Sequence, residues 1–219
     1  MPTYTIYPNY DAFYSKNAKN FADARGATES DSFDDTSPIL DISALDNGTD
    51  VDFTRTYLRF NLSSVIGTIT GMSLNIFTET VIGDYIAVTY SGIKVNGDVT
   101  DYPLYLDAGS KEWAIRDILK VNQYNEIILD ENLVPFPNQL TSPNLVIGLI
   151  DVNDFDNSGI VGNFIRIFSA NYFDRGRQPF LTVNSESTGY PNKVIGIQSS
   201  SISNVNGINI SNISKINVI

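Results

Sequence analysis

The sequence predicts an all-β fold: an antiparallel β-sandwich over residues 1–184, followed by an extended repeat tail over 185–219. Three observations predict it. Short runs of alternating apolar and polar residues recur about every 8–12 residues, with glycine, proline, asparagine or aspartate between them. The chain is rich in the residue types that suit a pleated, half-buried surface, with 12 Tyr, 12 Phe and many Ile, Val and Thr. The final segment then abandons alternation for an eight-residue repeat.

Taken in order, residues 3–10 (TYTIYPNY) alternate as far as Pro8 and predict a first strand. Residues 11–50 are polar and punctuated, which predicts short strands and long loops, with a helical turn at Asp23–Ala27. Thr56–Leu62 is a clear strand, with Tyr57, Arg59 and Asn61 on one face and Leu58, Phe60 and Leu62 on the other. Gly67 and Gly71 bracket a turn, and Met72–Thr80 alternates again with Met72, Leu74, Ile76 and Thr78 inward. Tyr85–Tyr90 and Gly92–Val95 continue the pattern. Ser110–Lys120 predicts a short helix, because Ser110 can cap it and Trp113, Ile115, Ile118 and Leu119 share much of one face. Glu126–Leu129, Leu145–Ile150, Phe164–Ser169 and Pro179–Val183 complete the strands. LVIGLI at 145–150 is apolar on both faces and suits a central strand. The expected core includes Leu58, Phe60, Leu62, Leu74, Ile76, Val146, Ile167 and Leu181.

Composition narrows function. The net charge of −11 repels phosphate backbones, so nucleic acid is not an expected partner. Histidine and cysteine are both absent, which removes His-based triads, thiol nucleophiles and Cys/His zinc sites. No enzyme and no obligatory cofactor are expected. No apolar run approaches the length of a membrane span, and the start MPTYTIYPNYD has no signal-peptide pattern. Synthesis in a cytoplasm is the matching expectation.

Three constellations are candidate sites. In Asp151-Val-Asn153-Asp154-Phe-Asp156-Asn-Ser158-Gly159, oxygens at Asp154, Asp156 and Ser158 alternate ahead of a glycine, a pattern that can wrap Ca²⁺. The position of a bidentate Glu is taken by Ile165, so the loop is not of the helix-loop-helix type, and a hairpin of good turn formers is the competing reading. Tyr4, Tyr7, Tyr10, Phe13 and Tyr14 form a candidate sugar-stacking platform, with core and rim packing as the alternative. Adjacent Asp34 and Asp35 have the chemistry of a glycosidase carboxylate pair but are more simply read as loop residues.

The tail carries an internal repeat. Ile202-Ser-Asn-Val205-Asn-Gly-Ile208-Asn209 is followed by Ile210-Ser-Asn-Ile213-Ser-Lys-Ile216-Asn217, with Val194 and Ile197 one unit earlier. The apolar steps of 3, 3 and 2 fit neither a strand nor a helix. So short a repeat cannot bury its own apolar side, and so apolar a segment is unlike a solvated linker. It is therefore expected to dock on other chains, with a flexible tail as the competing reading.

Two stretches carry a family resemblance. Leu58-Arg59-Phe60-Asn61-Leu62-Ser63 followed by Ser73-Leu74-Asn75-Ile76, with Phe168-Ser169-Ala170 and Arg177-Gln178-Pro179-Phe180-Leu181-Thr182-Val183 at the close, resembles the LRF type of jelly-roll module. Trp113 with Arg116-Asp117-Ile118 resembles that family's middle element, although the threonine it normally carries is missing. The resemblance implies a jelly-roll sandwich like those of carbohydrate-binding modules. The tail, GYPNKVIGI through NVNGINISNISKINVI, resembles C-terminal segments of structural proteins of crAss-like phages that infect Bacteroidetes. Together these imply a virion structural protein, a head-decorating or head-fibre component whose partners are capsid or tail proteins and copies of itself. A module contacting host surface glycan is the alternative.

Overall fold

The computed structural model describes residues 1–83, 86–90, 98–106, 111–114, 118–132 and 144–186, together with the backbone of 204–205 and 208–209. It is mostly antiparallel β-sheet. In chain order the elements are β1 (Thr3–Ile6), β2 (Pro8–Ala18), α1 (Phe21–Arg25), β3 (Ser32–Asp34), β4 (Ile39–Asp46), β5 (Val51–Asn61), β6 (Thr68–Ile82) and β7 (Ile86–Tyr90). A 3₁₀ segment (Val99–Leu106) precedes β8 (Lys111–Glu112), β9 (Gln123–Leu129), β10 (Asn144–Asp151), α2 (Val152–Asp156), β11 (Asn163–Phe168) and β12 (Phe180–Glu186). The pairs β13 (Asn204–Val205) and β14 (Ile208–Asn209) lie in the tail.

β1 to β12 are linked into one hydrogen-bonded sheet with two wings. In the first wing β6 lies between β12 and β9, and β1 pairs with β12. In the second, β5 pairs with β2 on one edge and with β4 and β10 on the other, and β7 and β8 extend from β10. The far half of β6 pairs with β11, which pairs with β4, and so the wings are joined.

One face of this sheet forms the principal core. Leu58, Phe60 and Leu62 on β5, Leu74 and Ile76 on β6, Leu145 and Ile147 on β10, Ile165 and Ile167 on β11, and Leu181 and Val183 on β12 belong to a single buried cluster. A second cluster lies on the opposite face of the second wing, around Tyr14, Phe53, Tyr57, Tyr102 and Ile150. It is covered by α1 and the 3₁₀ segment, with Phe155 of α2 packed against it. All eight expected core residues are buried, but Val146 belongs to the second cluster.

Several sequence expectations change. The run 3–10 is two strands, because Pro8 lacks an N–H: β1 pairs with β12 and β2 crosses to β5 with a register shift between Pro8 and Tyr10. β2 then continues to Ala18 through a stretch that reads as loop. The helix expected at 110–120 is absent where its residues are described. Lys111–Glu112 pairs with β7, the Trp113 N–H donates to Val88 O at 2.7 Å, and Ala114 bridges to Leu129. Fully burying the Trp113 ring between strands outweighs a weak helical propensity. The two faces of β5 are as expected, and Tyr57, opposite Leu58, is buried in the second cluster. The last strand runs to Glu186, two residues beyond Asn184. The expected Gly92–Val95 strand lies outside the described residues, as do Val194, Ile197, Ile202, Ile210, Ile213 and Ile216 of the tail. Val205 and Ile208 are register partners in the antiparallel β13–β14 pair.

Candidate ligand-binding face

The first wing has its core-facing residues at Met72, Leu74 and Ile76 on β6 and at Leu181 and Val183 on β12. Strand alternation therefore turns Phe77, Phe180 and Tyr124 to the opposite face. Register brings two of these together: Phe77 pairs with Tyr124 across β6–β9, and their rings meet edge to face at 5.4 Å. Tyr124 also meets Phe180 at 5.3 Å, and Phe180 meets Tyr7, at the β1–β2 junction, at 6.0 Å. In the other direction Phe77 contacts Phe168 at 5.6 Å, Phe168 contacts Tyr172 at 3.9 Å, and Tyr172 contacts Phe173 at 4.6 Å. Seven rings thus run in an unbroken chain across this face.

Two arginines sit on that chain. The Arg175 guanidinium lies 4.3 Å from the Tyr7 ring centre, and that of Arg177 lies 5.1 Å from Phe77 and 5.7 Å from Phe168. Both come from one 3₁₀ turn, Arg175–Arg177, capped by the Asp174 side chain accepting from the Gly176 N–H. The loop from Ser169 to Gln178 is held down at both ends. Gln178 Nε2 donates to the carbonyls of Ala170 and Tyr172 at 2.7 Å each, and Tyr124 donates its hydroxyl to Gln178 O. Asp11, on β2, accepts from the Ala170 N–H, while Asn171 reaches Asp35 O. Burial pushes the Asp11 carboxyl up to about 6; the Ala170 N–H opposes the rise and the Asp35 charge adds to it.

The sequence candidates map differently. Of the five proposed platform aromatics, Tyr7 alone joins the ring chain. Tyr14 is buried and donates to Asp101, with burial and the Asp101 charge raising its pKa. Tyr10 lies under Arg59, and Tyr4 and Phe13 pack against the principal core. Asp34 is occupied in a turn, accepting from Thr36 and Ser37, which holds its carboxyl below the usual range.

The proposed cation loop folds as α2 and the turn after it. Asp154 faces inward, 1 % exposed, and both its carboxylate oxygens accept from Arg55, at 2.7 and 3.0 Å. Asp156 and Ser158 are exposed, and Ser158 donates to Asn153. Asp154 is thus turned away from the other two oxygens, to neutralise a guanidinium that is itself fully buried. That guanidinium also donates to Tyr102 O and Arg25 O and lies 4.0 Å over the Tyr102 ring. Among the described residues no cluster of three or more acidic groups could hold a metal ion.

No protein-family model and no curated protein matches this chain. The face is therefore read from its own chemistry. Rings with exposed faces bind the C–H surfaces of sugars and other apolar groups, and stacked guanidiniums recognise carboxylates through their N–H edges. Sequence reasoning missed this set because the seven rings come from the β1–β2 junction, from β6, β9, β11 and β12, and from the loop before β12. The visible signal was the dense run Phe168 to Phe180, with three aromatics and two arginines between residues 172 and 180.

Proposed function

We propose that this chain is a jelly-roll sandwich module of a phage virion that works by binding and assembly, displayed on the particle and anchored or oligomerised through its tail. The observation that supports this is the independence of the sheet from the tail. β12, the last strand of the sheet, already has β1 on one side and β6 on the other. The described tail strands pair only with each other. On this reading the tail's apolar octads are what capsid or tail proteins, or further copies of the chain, take up.

The test is removal of residues 190–219. The sandwich should still fold, and incorporation into particles should be lost. Truncated protein that decorates particles at normal occupancy would place the anchor in the sandwich and overturn the proposal.

A second reading, contact with host surface glycan, is favoured by a separate observation. The ring chain of the first wing is half-buried for the most part and ends at Phe173, 89 % exposed, whereas the corresponding face of the second wing is covered by short helices.

A further inference from the structure

We infer that the face built by Tyr7, Phe77, Tyr172, Phe173, Arg175 and Arg177 binds a carboxylated glycan, a polymer with uronate-type sugars; the inference rests on the glycan-contact reading. At −11 the chain as a whole repels anions, and a cationic pair set among aromatic rings runs against that net charge. Arg175 is exposed, and among the described residues its guanidinium makes no hydrogen bond or ion pair, its backbone carbonyl accepting from the Gln178 N–H. Among the described residues its guanidinium rests on the Tyr7 ring, which leaves the N–H edges open for a bidentate carboxylate. Arg177 keeps a long 3.5 Å contact with Asp174, both about half exposed, which an incoming carboxylate can replace.

The apolar half of the site is equally unusual. Phe173 is 89 % exposed, and it extends a ring chain rather than standing alone. A solvated phenylalanine on a pinned loop offers a flat face for the C–H side of a pyranose. Because Gln178, Asp11 and Tyr124 already hold the loop, little ordering cost falls on binding. The same sheet face carries half-buried Thr182, whose Oγ1 accepts from the buried Asn75 Nδ2, so one hydroxyl for a sugar flanks the rings. Nucleic acid fits poorly, since two guanidiniums cannot offset the repulsion of many phosphates by so acidic a chain. An acidic peptide would use the arginines but has no need of a ring platform.

The experiment titrates the full chain by calorimetry with polygalacturonate and with hyaluronan, with each polymer after reduction of its carboxyls to alcohols, and with poly-glutamate. Binding to at least one acidic polymer is expected, lost or weakened by roughly tenfold on carboxyl reduction, as for one charge-assisted contact. Arg175→Gln and Phe173→Ser should each weaken it without shifting the melting temperature. Arg59→Gln, which removes the same charge from a guanidinium over Tyr10, should leave it unchanged. Equal affinity for the reduced polymers overturns the carboxylate inference and leaves the glycan reading standing. Poly-glutamate binding as tightly as the polysaccharides assigns the face to acidic peptide and overturns the inference. No binding to any of the polysaccharides, acidic or reduced, removes both the inference and the glycan reading.

Discussion

Asp11 is a carboxylate in a place that disfavours charge. It is 3 % exposed and its carboxyl is pushed up from 3.8 to about 6, mainly by burial. The folded state therefore holds a proton between those values that the unfolded chain has released. The stabilisation this provides is complete below pH 4 and is lost as pH rises through about 6. At about 1.4 kcal/mol per unit, the window amounts to roughly 3 kcal/mol. Urea midpoints measured from pH 4 to pH 7 should show a declining component that Asp11→Asn abolishes. That amide still accepts from the Ala170 N–H, so the variant should be at least as stable as the parent at pH 7. A pH profile unchanged by Asp11→Asn would assign the titration elsewhere. Asp154 is the opposite case, a buried carboxylate with a buried cation on both its oxygens. Asp154→Ala strands the Arg55 guanidinium and should cost about 3–5 kcal/mol in chemical denaturation. A loss below about 1 kcal/mol would mean that water reaches Arg55.

Among the elements, β5 carries the most burden. Its odd positions Phe53, Arg55 and Tyr57 face the second cluster, and Leu58 and Phe60 face the principal core. It pairs with β2 along one edge and with β4 and β10 along the other. A strand buried on both faces and paired on both edges has no route for relaxation into solvent. Phe60→Ala should therefore leave most of its cavity open and cost about 3–5 kcal/mol, read as a shift of the urea midpoint with an unchanged slope. β8 shows the converse, a weak element made by its surroundings. Its two residues form a strand because β7 offers a free edge and because the Trp113 ring is buried beside it.

At the scale of the whole molecule the two wings are finished differently. The second wing has α1 and the 3₁₀ segment over its second face, closed by the Arg55–Asp154 pair and the hydroxyls of Tyr57 and Tyr102. The first wing presents its aromatic chain outward. The sheet needs nothing from the tail to satisfy its last strand. Chain truncated after residue 189 should therefore unfold with a stability within about 0.5 kcal/mol of the full chain, the range of changes remote from the core. A larger loss would show the tail packed on the sheet.

What the sequence by itself determined is the period-2 pattern and hence the strands. Leu58, Phe60, Leu74, Ile76, Ile167 and Leu181 were legible as core because alternation places successive side chains on opposite faces wherever a strand forms. The tail repeat was legible for the same reason, as a periodicity at odds with both regular structures. Partners across the sheet were not. That Tyr7, Phe77, Tyr124, Phe180 and Phe168 meet depends on strand order and register, which join residues far apart in the chain. The same holds for Asp154, whose spacing to Asp156 and Ser158 suggested a cation, but whose carboxylate meets Arg55, 99 positions away. Local spacing reports which side chains share a face. Only the tertiary structure decides what lies opposite, because a buried charge is governed by its nearest counter-charge, and the chain's path through the sheet sets where that is.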